Sequence, residues 1–165
     1  MSAQDRDSSE DRGGPVWRFA KNILTVAVLV VALYVVIVLT VPGFTENRVA
    51  ANESSAIATL RVLGGHQDRF FKEDLDRDGK QNYAATFATL NAAIELPVGL
   101  TDTGTRSGYR FEMVTTPDRT TFAVEASPVR PGKTGRVHLF IDQTRTLRFE
   151  KDRSATRQSP ALSPD

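Results

Sequence analysis

Hydrophobic and polar positions follow three different patterns along this chain. From Ile23 to Val41 there is no period: the stretch is almost entirely Val, Leu, Ile and Ala and carries no charge. As a helix rising about 1.5 Å per residue, it covers roughly 28 Å, close to the hydrocarbon thickness of a bilayer. The pattern predicts a transmembrane helix over residues 23–41. Signal-peptide apolar regions are shorter and are followed closely by a small-residue cleavage site. Here the run is long and the small-residue site, Val49-Ala50-Ala51, is well separated from it, so a retained anchor is expected.

Beyond Pro42 the period becomes 3.6. Ala50, Ile57, Leu60, Gly64 and Phe71 fall on one face, with Arg48, Ser55, Thr59 and His66 opposite, which predicts an amphipathic helix from about Glu46 to Phe71. Pro42 is expected to kink the helix rather than end it. Residues 72–83 (KEDLDRDGKQNY) read as a polar loop, 84–93 as a short helix, and 96–108, with its glycines and prolines, as a connecting loop.

From Tyr109 onward the period is 2. Tyr109, Phe111 and Met113 alternate with polar residues, as do Phe122, Val124 and Ala126, then Val137, Leu139 and Ile141, then Leu147 and Phe149. Turn residues separate them at Pro117-Asp118, Pro131-Gly132 and 142–145. Four short-connected strands with one apolar face predict an antiparallel meander, and the helix stripe is its natural cover. The expected fold is therefore α+β, a long N-terminal transmembrane and amphipathic helix packed on a four-stranded antiparallel sheet. Residues 1–22 are expected to form a disordered cytoplasmic tail, 42–150 the folded domain, and 151–165 a disordered C-terminal tail.

Composition narrows the function classes. The chain has 165 residues, a net charge of +1 and no cysteine. A balanced charge without a basic cluster argues against a nucleic-acid partner, and the missing thiols exclude disulfide scaffolds and thiolate zinc sites. Arg6, Arg12, Arg18 and Lys21 precede the apolar stretch closely, whereas only Arg48 and Arg61 follow it closely. That asymmetry places the N-terminus in the cytoplasm and the domain beyond the inner (cytoplasmic) membrane, in a single-pass arrangement with lipid as the first partner. Trp17 suits the headgroup level.

One stretch has metal-binding spacing. Asp74, Asp76 and Asp78 alternate, with Gly79 at the sixth place, as in an EF-hand loop that gathers oxygens around calcium. Lys80 is expected to add its backbone carbonyl and Asn82 a further oxygen. The twelfth place is Ala85, where an EF-hand carries a bidentate glutamate. His66 and His138 stand alone, His138 on the outward side of its strand, and no nucleophile elbow or phosphate loop appears. No catalytic set is expected.

Order and local wording together resemble type IV pilins and the pseudopilins of type II secretion. The words that carry the resemblance are Val41-Pro42-Gly43-Phe44, the run from Arg48 to Ile57 with Leu60-Arg61, Gly104 to Phe111 (GTRSGYRF), Pro131 to Arg136 (PGKTGR) and Phe140 to Gln143. Together they cover about residues 20 to 150. The resemblance implies a pilin-like fold and a structural or assembly role in a bacterial envelope system. Its implied partners are other pilin-like subunits or envelope assembly proteins. Aligned on Pro42, the family's processing point falls at Ala20-Lys21 and its glutamate at Thr25, and this chain has neither the glycine before the one nor the carboxylate at the other. Two functions are therefore expected: a non-enzymatic, membrane-anchored pilin-like protein, or a membrane-tethered module binding calcium or another ligand outside the cytoplasm.

Overall fold

The computed structural model describes residues 15–162, with side-chain surroundings for residue 23, residues 25–37 and residues 45–162. The chain divides into two units, Met1–Phe44 and Thr45–Asp165. Helix α1 runs Pro15–Glu73, so it starts inside the stretch read as an N-terminal tail. The tail over residues 1–14 and the side chain of Trp17 lie outside the described residues.

In the first unit the α1 side chains from Val26 to Val31, and on to Val35, are exposed on every side. Val28, Leu29, Val30 and Val31 follow one another at about 100° per residue and so cover the whole circumference. Among the described residues, however, no helix is long and apolar enough to cross a membrane. This corrects the transmembrane element of the expected fold.

The second unit corrects the sheet. It has five strands rather than four, β1 (Thr105–Arg106), β2 (Tyr109–Thr115), β3 (Phe122–Pro128), β4 (His138–Asp142) and β5 (Arg148–Glu150), joined antiparallel in chain order. The added strand comes from the segment read as loop. Ser107 and Gly108 adopt positive φ angles of 47° and 73°, a tight turn that folds Thr105 against Arg110 and Arg106 against Tyr109. Helix α2 (Phe87–Ala93) starts at the N-cap Thr86, whose side chain accepts from the Thr89 N–H.

The core gathers α1 side chains with one face of the sheet. Ala56, Leu60, Leu63 and Phe70 share a cluster with Phe111, Phe122, Val124, Leu139 and Ile141. The buried seam of α1 is Val49, Ala56, Leu60, Leu63, Gln67 and Phe70, the alternating three-and-four spacing of a helix packed along one line. It is rotated from the expected stripe, since Ala50 is exposed while Thr59 and Gln67 are buried. The two polar residues are tolerated because their hydrogen bonds are made. The Thr59 hydroxyl donates to the Ser55 carbonyl at 2.8 Å. The Gln67 amide donates to the Ala84 carbonyl and accepts from the Ala84 N–H, both at 2.9 Å.

Strand β4 is buried on both faces, and the segment after β5 lies against β5. Rather than trailing off, it folds back: the Phe149 N–H donates to the Pro160 carbonyl, the Leu162 N–H to the Leu147 carbonyl, and Arg148 bridges to Ala161. Arg157 Nε reaches Asp142 Oδ2 at 2.7 Å. Burial alone would raise the Asp142 carboxyl, but the Thr144 hydroxyl and N–H and the Arg157 guanidinium together hold it below the usual carboxylate range.

Candidate metal centre

The acidic loop begins where α1 ends. Leu75 N–H donates to the Phe70 carbonyl and Arg77 N–H to the Asp74 carbonyl, closing the last helical turn. Asp74, Arg77 and Gly79 then take left-handed φ angles of 45°, 57° and 76°. Gly79 adopts such an angle freely, and Asp tolerates it better than most residues. The effect is a curled loop that brings one carboxylate oxygen from each of Asp74, Asp76 and Asp78 within 4.8 Å of one another.

Hydrogen bonds fix the curl. Asp74 Oδ2 accepts from the Gly79 N–H at 3.0 Å. Asp78 Oδ1 accepts from the Lys80 N–H at 2.9 Å, and its Oδ2 from Asn82 Nδ2 at 3.0 Å. Lys80, expected for its carbonyl, is thus seen donating its N–H. Asn82 is the enclosed member, only 5% exposed.

Sequence reasoning missed Arg119. This residue sits in the β2–β3 turn at φ 55° and reaches the loop from more than forty positions away. Its Nη1 lies 3.2 Å from Asp76 Oδ2 and its Nη2 2.8 Å from Asp78 Oδ2. Its carbonyl accepts from the Tyr83 N–H at 2.9 Å, so the turn is fastened at both backbone and side chain. The Asn82 amide first, then the Lys80 N–H and the Arg119 guanidinium, hold the Asp78 carboxyl below its usual range. The only trace of this pairing in the sequence is a lone arginine in a turn.

Two acceptor oxygens here are shut off from solvent and have no hydrogen-bond partner, Asp74 Oδ1 and Asn82 Oδ1. Buried polar atoms are nearly always paired, so an unpaired oxygen is a place where a cation or water would be held.

The two histidines remain apart from this loop. His138 Nδ1 lies 2.9 Å from the Ser127 hydroxyl on the outer side of the sheet. His66 lines an open groove of about 500 Å³ with Val62, Leu96, Val98 and Arg106 among its walls. Burial and then the nearby Arg69 charge push the His66 imidazole below its ordinary value, which favours a neutral ring. No protein-family model matches the chain, and no curated protein and no solved structure matches it.

Proposed function

We propose that this chain is a non-enzymatic structural or assembly protein of the pilin-like kind, seated at the inner (cytoplasmic) membrane through its apolar N-terminal segment. The observation that carries the proposal is the surface of α1 around Val28, Leu29, Val30 and Val31, apolar and exposed on all sides. A helix that is apolar all round is stable only when something apolar covers it. In this reading lipid does so for the single chain, and the same segment of sister subunits does so in an assembly. The amphipathic seam from Val49 to Phe70 gives the folded unit a core of its own. Pilin-like wording from Val41 to Ile57 and from Pro131 to Gln143 supports the same assignment.

The test is membrane extraction of the full chain expressed in a bacterial host. The chain is expected to stay in the pellet after alkaline carbonate washing. Replacing Val28 and Val31 by Lys together puts two charges on this apolar surface and is expected to release the chain into the supernatant. A wild-type chain recovered in the carbonate supernatant would overturn the proposal.

A further inference from the structure

Asp74, Asp76 and Asp78 bring three negative charges to one curl of chain, and Arg119 is the one cation paired with them among the described ion pairs. Acidic clusters of this kind are common and by themselves mean little. What sets this one apart is the oxygen of Asn82, a side chain 5% exposed whose amide nitrogen is already bonded to Asp78 Oδ2 while its oxygen has no partner. Asp74 Oδ1 is in the same condition.

We propose that this loop is a calcium site regulated by Arg119, in which Asp74, Asp76, Asp78 and Asn82 supply oxygens to the ion and the guanidinium is its built-in competitor. Calcium takes six to eight oxygens at about 2.3–2.6 Å and tolerates irregular geometry. Two of the oxygens it needs, on Asp74 and Asn82, are enclosed and unused. Oxygens on Asp76 and Asp78 are held by Arg119 at 3.2 and 2.8 Å, and Asp78 Oδ2 also accepts from Asn82 Nδ2. An ion drawing on those carboxylates displaces the guanidinium, because a cation and an arginine cannot share the same lone pairs at contact distance. The exposed side chains of Arg77 and Lys80 in the same loop temper the field without pairing to these carboxylates. Since the twelfth place is Ala85 and not glutamate, the affinity belongs to the weak class of calcium modules, with a Kd on the order of 10⁻⁴–10⁻³ M.

The consequence reaches beyond the loop. Arg119 carries the β2–β3 turn, and its carbonyl holds Tyr83, whose ring packs between Phe71 and Phe122 at 4.7 and 4.8 Å. Binding therefore exchanges a side-chain clasp on that turn for a metal clasp on the loop, while the Tyr83 backbone bond stays.

Isothermal titration of the full chain in a non-ionic detergent with calcium chloride, and separately with magnesium chloride, tests this. The wild-type chain is expected to bind calcium in the stated range and magnesium more weakly. Asp74→Asn is expected to weaken calcium binding about tenfold or more. Arg119→Gln is expected to tighten it about tenfold, equivalent to about 1.4 kcal/mol. A turn that merely came loose would not tighten binding, so the sign of the Arg119→Gln effect separates competition from damage. No calcium heat at millimolar concentration would overturn the site. Unchanged or weaker binding in Arg119→Gln would overturn the competition.

Discussion

Gln67 shows how a single buried amide decides a packing arrangement. It sits in the α1 seam with no solvent exposure and closes two hydrogen bonds on the backbone of Ala84. Replacement by Leu keeps the volume but orphans a buried N–H and a buried carbonyl, each worth about 1–3 kcal/mol. Gln67→Leu is expected to lower the unfolding free energy by roughly 2–4 kcal/mol in denaturant titration, and a neutral result would refute the role assigned to it. Asp142 is the ionisable counterpart, 1% exposed with its carboxylate held by Thr144 and Arg157. Its folded-state pKa is depressed, so its contribution is present above the unfolded carboxylate pKa and is lost as pH falls through the lower folded value. Melting temperature followed from neutral to acid pH is expected to fall more steeply for wild type than for Asp142→Asn, which starts lower and has less to lose. Neither residue announced itself in the sequence: Gln67 lies outside the apolar stripe read from the period, and Asp142 read as a turn residue. Pattern reading assigns polar residues outward, and only the positions of Ala84, Thr144 and Arg157 reveal that these two are satisfied inside.

Among the elements, those with a strong period were the legible ones. The alternation at Tyr109, Phe111, Phe122, Val124, Leu139 and Ile141 corresponds to buried positions, because a strand's side chains must go one way or the other. Strand β1 was not legible, since two residues carry no period and its placement depends on the turn at Ser107-Gly108. The helix seam was legible to within about one position. It was mistaken at Ala50, which is exposed, and at Thr59, which is buried, whereas Gly64 is buried as expected and lets Arg145 lie across α1, with Nη1 on Asp68 at 3.0 Å and Nη2 on the Arg61 carbonyl at 3.2 Å. The acidic loop was legible as a spacing, whereas Arg119 was not, because nothing in the sequence links a turn arginine to a loop over forty residues earlier. Gly135 makes a testable statement at this scale. A Cβ there would run into the Tyr109 ring, whose hydroxyl donates to the Val137 carbonyl at 2.9 Å between β2 and the entry to β4. Gly135→Ala is expected to destabilise the fold by about 1–3 kcal/mol through overpacking, read as a lower melting temperature. An unchanged melting temperature would mean that the turn yields.

For the whole molecule, the deciding feature is what covers the apolar surface of α1. The folded unit from Thr45 onward has its own core and its own hydrogen-bonded edges, so residues such as Val28 and Val30 are not needed to hold it together. Val28 and Val30 are exposed within the first unit. The expected lipid span is not present among the described residues, and the proposed role instead rests on side-by-side packing of this segment at the membrane. The absence of any native cysteine makes that packing directly measurable. Val28 and Val30 are about 200° apart around the helix, so Val28→Cys and Val30→Cys introduced together place thiols on opposite sides. Oxidative cross-linking of this doubly substituted chain in isolated membranes is expected to give a ladder of dimers, trimers and higher species, as a subunit contacted on two sides requires. A chain that stays monomeric in those membranes would contradict the assembly role.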